Sequence, residues 1–134
     1  MNRIKKYTLG EQYAALKKNY PLFDIKLNRD NVSVSGQIKP TARSITYTFK
    51  VKYQLKKRPK VKIVVPVLEK NFNGDDIPHV YPGKELCLYY PKFEEFNSSM
   101  LIADCIIPWT SLWLYHYENW QITGNWDGGG IQPK

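Results

Sequence analysis

The sequence predicts an α+β domain: an N-terminal helix, a four-stranded antiparallel meander, an irregular segment that holds the candidate functional residues, and a C-terminal helix. Three observations support this fold class. Apolar residues recur at helical spacing near the N-terminus, four later segments alternate between apolar and polar residues, and a tryptophan-rich segment is again helical. A chain of 134 residues has the size of one domain, so we expect a single domain over residues 1–134.

The first helix is predicted to begin after Thr8 and to end before Pro21. Thr8 and Glu11 have the T-x-x-E spacing of a capping box, in which each side chain bonds the backbone amide of the other residue. The apolar residues that follow at helical spacing are Leu9, Tyr13, Leu16 and Tyr20. One face of this helix should therefore lie on the core.

Four strands are expected after this helix. Segments with apolar and polar alternation lie at residues 23–27, 32–35, 45–53 and 61–65. Residues 36–41 contain glycine and proline, and we interpret them as a connection. Short turns between successive strands favour an antiparallel meander that is covered on one face.

Regular patterning is lost after Pro66 and returns only in the last helix. Long irregular segments are uncommon in a small domain and are often functional. The last helix is predicted to carry Pro108 in its first turn and to stop at Gly124. Its proposed apolar stripe consists of Trp109, Leu112, Trp113, His116 and Trp120.

The composition argues against several classes of protein. Two cysteines and no apolar leader suggest free thiols and a cytoplasmic protein, and no apolar run is long enough to span a membrane. The net charge of +8 would suit a polyanionic partner. However, the lysines of residues 50–62 alternate with apolar residues, so we favour a solvated strand face over nucleic-acid or acidic-protein binding. We do not expect a nucleic acid as partner. Since no histidines, cysteines or carboxylates have metal-ligand spacing, no metal or other cofactor is expected.

The segment IPHVYPGKELCLYYP, residues 77–91, contains the main candidate for chemistry. Cys87 lies there between two leucines, downstream of His79 and a Pro-Gly turn. A free cysteine in apolar surroundings is most often a packing residue, whereas a nucleophilic thiol needs partial exposure and support for the thiolate, both of which a loop permits. The local sequence leaves both interpretations of Cys87 open. His79 is more typical of a residue that orders a turn than of a general base, and we interpret Cys105 as packing.

The order of elements and a short motif resemble the ubiquitin-conjugating enzyme (UBC) superfamily. That superfamily carries His-Pro-Asn, then a glycine, then Ile-Cys-Leu, and the matching residues here are His79, Gly83 and Leu86-Cys87-Leu88. The resemblance extends over residues 8–124. It implies a UBC-like fold in which Cys87 takes the C-terminal carboxyl group of a modifier protein as a thioester.

A closer resemblance is to the stand-alone bacterial members encoded in CBASS antiphage operons. The matching stretches are His79-Val80-Tyr81, Leu86-Cys87-Leu88-Tyr89-Tyr90-Pro91, Pro108-Trp109, and residues 113–120 and 123–129. The resemblance implies that Cys87 forms a thioester with the C-terminus of a CBASS nucleotidyltransferase, a cyclic-oligonucleotide synthase, and transfers it to an amine. Whether an activating enzyme is also a partner stays open.

One departure from the eukaryotic pattern affects the proposed site. Tyr81 stands where those enzymes have the asparagine credited with shaping the loop and stabilising the oxyanion. Backbone amides near Cys87 could replace it. The candidate side chains for this role are Tyr81, Asn97 and His79. The candidates for deprotonating the attacking amine are Asp104 and Glu94.

Two other functions stay open at this point. A non-catalytic UBC-like interaction module would explain the missing asparagine, although the Leu-Cys-Leu sequence argues against it. A hydrolase would pair Cys87 with His116, but the predicted helix stripe assigns His116 to packing.

Overall fold

The computed structural model describes residues 5–88 and 96–127. The helices and strands are α1 (Leu9–Asn19), β1 (Asp24–Leu27), β2 (Val32–Ile38), β3 (Tyr47–Tyr53), β4 (Lys60–Val65), β5 (Val80–Tyr81), β6 (Glu85–Leu86) and α2 (Ile106–Thr123). This arrangement confirms the predicted α+β fold. Predictions for Glu94, for Tyr89-Tyr90-Pro91 and for Gly128-Gly129 lie outside the described residues.

The capping box at the start of α1 is confirmed. The Glu11 backbone N–H donates to Thr8 Oγ1 at 3.1 Å, and the Thr8 N–H donates to Glu11 Oε1 at 3.0 Å. Leu16 is fully buried on the inner face of the helix. These bonds satisfy amides that have no partner within the helix and fix its first residue.

A buried glutamine ties α1 to the segment that leads into α2. Gln12 Nε2 donates to the Met100 carbonyl at 2.8 Å, and Gln12 Oε1 accepts from the Ile102 N–H at 2.9 Å. A buried polar group costs stability unless it is paired, and both ends of this amide are paired. The segment before α2 is therefore held against α1 by specific bonds as well as by apolar packing.

The four predicted strands form one antiparallel sheet in the order β1-β2-β3-β4, as expected for a meander. The inward side chains of β3 are Tyr47, Phe49, Val51 and Tyr53, and all four are buried. The prediction that β3 begins at Ile45 was wrong by two residues. Ile45 is 58 % exposed and is not paired in the strand ladder.

The interpretation of residues 36–41 as a connection was also wrong at its start, because β2 continues through Gly36 to Ile38. Gly36 pairs with Phe49 inside the ladder. A Cβ atom at position 36 would overlap the Phe23 ring, which packs over this point of the strand. The glycine thus allows a close ring contact within a strand and does not mark a turn.

Within the segment predicted to be irregular, β5 and β6 form a small hairpin. Val80 lies opposite Leu86 and Tyr81 opposite Glu85. The turn between them has positive φ at Gly83 (83°) and at Lys84 (62°). The hairpin packs beside β4 through β6 and forms a second, two-stranded sheet.

Helix α2 ends as predicted at Gly124, which is left-handed with φ of 82° and donates its N–H to the Trp120 carbonyl at 2.9 Å. The predicted apolar stripe was partly wrong, because Leu112 is 53 % exposed. The buried face consists of Ile106, Ile107, Thr110, Trp113, Leu114, Tyr117 and Trp120. Leu112 lies outside this buried face.

Candidate active site

Cys87 follows β6 directly, and two hydrogen bonds to one carbonyl oxygen fix its position. The Cys87 N–H donates to the His79 carbonyl at 2.9 Å, and Trp113 Nε1 donates to the same oxygen at 3.0 Å. His79 is left-handed, with φ of 54°. This conformation is uncommon outside glycine, asparagine, aspartate and histidine. The His79 backbone therefore joins the candidate nucleophile to helix α2.

The thiol of Cys87 lies beside the phenol of Tyr81. Cys87 Sγ is 3.7 Å from Tyr81 Oη, within the range of a sulfur hydrogen bond, and Cys87 is 7 % exposed. Tyr81 lies in β5 and Cys87 directly follows β6, so the turn of the hairpin brings the two residues together. The structure thus joins three of the predicted site residues, namely His79, Tyr81 and Cys87.

A cation and a carboxylate extend this group beyond the predicted residues. The Arg58 guanidinium lies over the Tyr81 ring, 3.9 Å from its centroid, in a cation–π arrangement. Arg58 Nη1 also forms an ion pair with Glu85 Oε2, and the Glu85 side chain is only 12 % exposed. Glu85 lies opposite Tyr81 in the hairpin register. Contacts therefore run from Glu85 through Arg58 and Tyr81 to Cys87.

The environment of Tyr81 makes its phenol harder to ionise than an ordinary tyrosine. Burial, followed by the hydrogen bond and the charge of Cys87, raises the pKa of Tyr81 to about 12 even though Arg58 acts in the opposite direction. A neutral phenol at physiological pH retains an O–H that can donate a hydrogen bond. Tyr81 can therefore donate to a thiolate or to an oxyanion that forms beside Cys87.

The His79 imidazole packs in an aromatic cluster behind the hairpin. Its ring centroid is 5.1 Å from that of Trp126, which also lies 5.1 Å from Trp113 and 5.9 Å from His116. Burial, and secondarily the nearby His116, lower the pKa of His79. The imidazole is therefore neutral at physiological pH.

His116 also lies in this cluster. Its Nδ1 is buried and makes no hydrogen bond in the part of the chain that the structure describes. A Cys/His hydrolase needs an imidazole nitrogen that accepts the thiol proton. His116 Nδ1 does not have that contact.

Asn97 and Asp104 occupy different surroundings. Asn97 is exposed, and its Oδ1 accepts from the Ser99 N–H at 2.8 Å and from the Ser99 hydroxyl. It also borders a pocket of about 230 Å³ that Arg58 lines, so it lies on the Arg58 side of the group. The exposed Asp104 carboxylate raises the pKa of Cys105, after the larger effect of burial, and so lies beside that second thiol in the turn before α2.

Sequence reasoning did not identify Arg58 and Glu85. They lie 27 positions apart, and a basic turn between two strands is usually solvated.

Within residues 5–88 and 96–127, no group of histidine, cysteine or acidic side chains is arranged to hold a metal ion. Neither helix of the described chain has the length and apolar character needed to cross a bilayer.

Comparison with protein families identifies the chain. A family model described as "Type II CBASS E2 protein" matches residues 12–133. The chain belongs to this family. Comparison with curated proteins gave no match. Membership in the type II CBASS E2 family confirms the resemblance to bacterial CBASS proteins and assigns the chain to antiphage defence as an E2-like protein.

Proposed function

We propose that this E2-family protein is a ubiquitin-conjugating-like cysteine acyltransferase that acts in the cytoplasm. Cys87 forms a thioester with the C-terminus of a partner protein and passes the acyl group to an amine. The partner is the cyclic-oligonucleotide synthase of the same CBASS system. The observation that carries this proposal is the contact of 3.7 Å between Cys87 Sγ and the protonated phenol of Tyr81, which is braced by Arg58.

The reaction requires an activated carboxyl group, supplied as an acyl adenylate or as a thioester on an activating enzyme. The Cys87 thiolate attacks the acyl carbon, a carbon–sulfur bond forms, and the activating group leaves with its bonding electrons. In the second step an amine attacks the thioester, loses a proton and expels the Cys87 thiolate. Each step passes through a tetrahedral intermediate whose negative oxygen needs a hydrogen-bond donor.

Tyr81 is the best-placed described side chain for that donor. The Cys87 backbone N–H already donates to the His79 carbonyl, so this amide is not available to the oxyanion. The Tyr81 O–H lies within contact distance of the sulfur to which the acyl group becomes attached. Tyr81 would then perform the role of the missing asparagine.

Burial of the thiol suits a thioester intermediate. With Cys87 only 7 % exposed, few water molecules can reach the acyl carbon after it is attached. Exclusion of water slows hydrolysis and favours transfer to a positioned amine. It also requires the partner C-terminus to approach along the small exposed part of Cys87.

The test is adduct formation with the partner synthase, ATP and the activating enzyme. Non-reducing electrophoresis should show a higher-mass species that disappears with dithiothreitol. Cys87→Ser should form an adduct that resists the reductant, because an oxygen ester replaces the thioester, and Cys87→Ala should form none. Cys105→Ala is the matched control and should behave as the wild type. A reductant-sensitive adduct in Cys87→Ala would refute the proposal.

A non-catalytic interaction module is the second candidate, and the same burial of Cys87 favours it. The two functions differ in thiol reactivity. A catalytic Cys87 should be alkylated by a small reagent such as iodoacetamide in the native protein, as mass spectrometry of the modified peptide would show. Resistance to alkylation until the chain is unfolded would support the module.

A further inference from the structure

The outward face of the four-stranded sheet carries a groove of about 480 Å³. None of its lining residues belongs to the group formed by Glu85, Arg58, Tyr81 and Cys87. The charged residues that line it are Lys26, Lys50, Lys52, Lys60, Lys62 and Asp24. We call this surface the lysine groove. Within the described chain, its lining contains five ammonium groups and one carboxylate.

Two pairs of these lysines face each other across adjacent strands. In the register of β3 with β4, Lys50 lies opposite Lys62 and Lys52 opposite Lys60. Directly opposed side chains on a sheet have Cβ atoms about 5 Å apart, and like charges in that position destabilise the sheet. The fold therefore places two pairs of like charges opposite each other, which opposes its own stability.

Neighbouring carboxylates do not neutralise this array. Among the described residues, Asp24 pairs with Lys26 at 3.9 Å on the edge strand, and none of the four ion pairs involves a lysine of β3 or β4. The residues opposite Lys50 and Lys52 on β2 are Ser35 and Ser33. They offer hydroxyl groups and no negative charge.

We propose that the lysine groove is a non-covalent docking site for an acidic segment of a partner protein. Carboxylates in such a segment would neutralise the opposed lysines, and the serine hydroxyls could donate further hydrogen bonds. Charge complementarity of this kind accelerates association and selects partners. The proposal does not depend on thioester chemistry, because Cys87 contributes nothing to this face.

The lining favours a protein over a nucleic acid. Its described residues are lysines, serines, valines and one aspartate, without an aromatic ring on which a base could stack. It has no arginine for bidentate contact with phosphate. Val64, which is 44 % exposed, and the aliphatic stems of the lysines provide an apolar floor that suits a peptide.

The test is fluorescence anisotropy with a labelled peptide that alternates glutamate and serine, measured with the full chain at low ionic strength. Lys50→Gln/Lys62→Gln removes one opposed pair. Lys17→Gln/Lys18→Gln removes the same charge from the last turn of α1 and is the matched control. We expect the groove variant to weaken binding roughly tenfold and the control by less than about twofold.

Two probes and one further variant complete the test. Single-stranded oligothymidylate and a DNA duplex of similar charge should bind more weakly than the peptide, and Cys87→Ala should bind it as the wild type does. Equal weakening in the two lysine variants would overturn the proposal, because it would indicate attraction by net charge alone. Tighter binding of either nucleic acid that is lost in the groove variant would also overturn it. Circular dichroism should show that every variant is folded.

Discussion

The phenol oxygen of Tyr81 lies 3.7 Å from the sulfur of Cys87, across a hairpin whose strands are two residues long. Such short strands would leave the pair poorly fixed without other contacts. The His79 carbonyl holds the backbone of Cys87, and Arg58 holds the ring of Tyr81. The relative position of the two reactive groups is therefore set by His79, just before the hairpin, and by Arg58, from a distant turn.

Removal of the Tyr81 hydroxyl should slow thioester formation. Tyr81→Phe keeps the ring beneath Arg58 but deletes the donor, and loss of one oxyanion donor costs about a hundredfold or more in rate. Single-turnover formation of the reductant-sensitive adduct, followed by quenched electrophoresis, measures the effect. A rate within about twofold of the wild type would exclude Tyr81 from oxyanion stabilisation.

Arg58 should contribute both to the stability of the fold and to the rate of thioester formation, and a double-mutant cycle with Glu85 can separate the two effects. Arg58→Gln leaves the poorly exposed Glu85 carboxylate unpaired, which we expect to lower the free energy of unfolding by about 1–3 kcal/mol. Arg58→Gln/Glu85→Gln should recover much of that stability, as urea denaturation can measure. The double variant should still form the thioester slowly, because the Tyr81 ring remains unsupported. Full recovery of the rate would mean that Arg58 serves only to pair Glu85.

Titration of His79 should destabilise the fold in acid. Because its pKa is lowered in the folded protein, the unfolded chain binds a proton at higher pH, near the usual value of about 6.5. The stability that comes from this difference in pKa is fully present above the pKa of the unfolded chain. It is lost as the pH falls through the lowered pKa of the folded protein. His79→Asn removes the titration and keeps a residue that tolerates positive φ.

Urea midpoints of the wild type and His79→Asn, measured between about pH 7 and pH 5, check this prediction. The wild type should lose more stability than the variant over this range, because only the wild type carries the His79 imidazole. Parallel pH profiles would show that His79 has the same pKa in the folded and unfolded chains.

Relief of one opposed lysine pair should stabilise the sheet. Lys62→Gln removes the charge opposite Lys50, and we expect the free energy of unfolding to rise by about 0.2–1 kcal/mol at low ionic strength. The gain should shrink in high salt, which screens the repulsion. Lys18→Gln on α1 is the control, because Lys18 has no cross-strand neighbour, and it should not produce this gain in stability. Destabilisation by Lys62→Gln at low salt would show that the opposed lysines do not repel each other in the folded protein.

The sequence was sufficient to predict the regular part of the fold, because the capping box at Thr8, the alternating strands and the stop at Gly124 are local patterns. It was insufficient where tertiary contacts decide the structure. Gly36 was interpreted as a break because the covering Phe23 ring is not apparent from the strand itself. The hairpin was missed because strands of two residues have no periodicity.

The candidate site could likewise be predicted where local sequence patterns define it, but not where tertiary contacts do. Cys87, His79 and Tyr81 lie within one short motif, and the structure brings them together. Arg58 and Glu85 belong to this group through an ion pair between distant positions, which no pattern in a single sequence indicates. The catalytic assignment of these residues stays a prediction until the adduct is tested.

Trp113 has two separate structural roles, because its indole N–H bonds the same His79 carbonyl that accepts from Cys87. As a buried ring it fills space between α2 and the hairpin, and as an N–H donor it secures the peptide that holds the Cys87 backbone. Phenylalanine at this position could supply much of the packing but not the donor. The identity of a core residue in the distant helix is thus constrained by the geometry of the thiol, so this part of the interior and the reactive surface cannot vary independently.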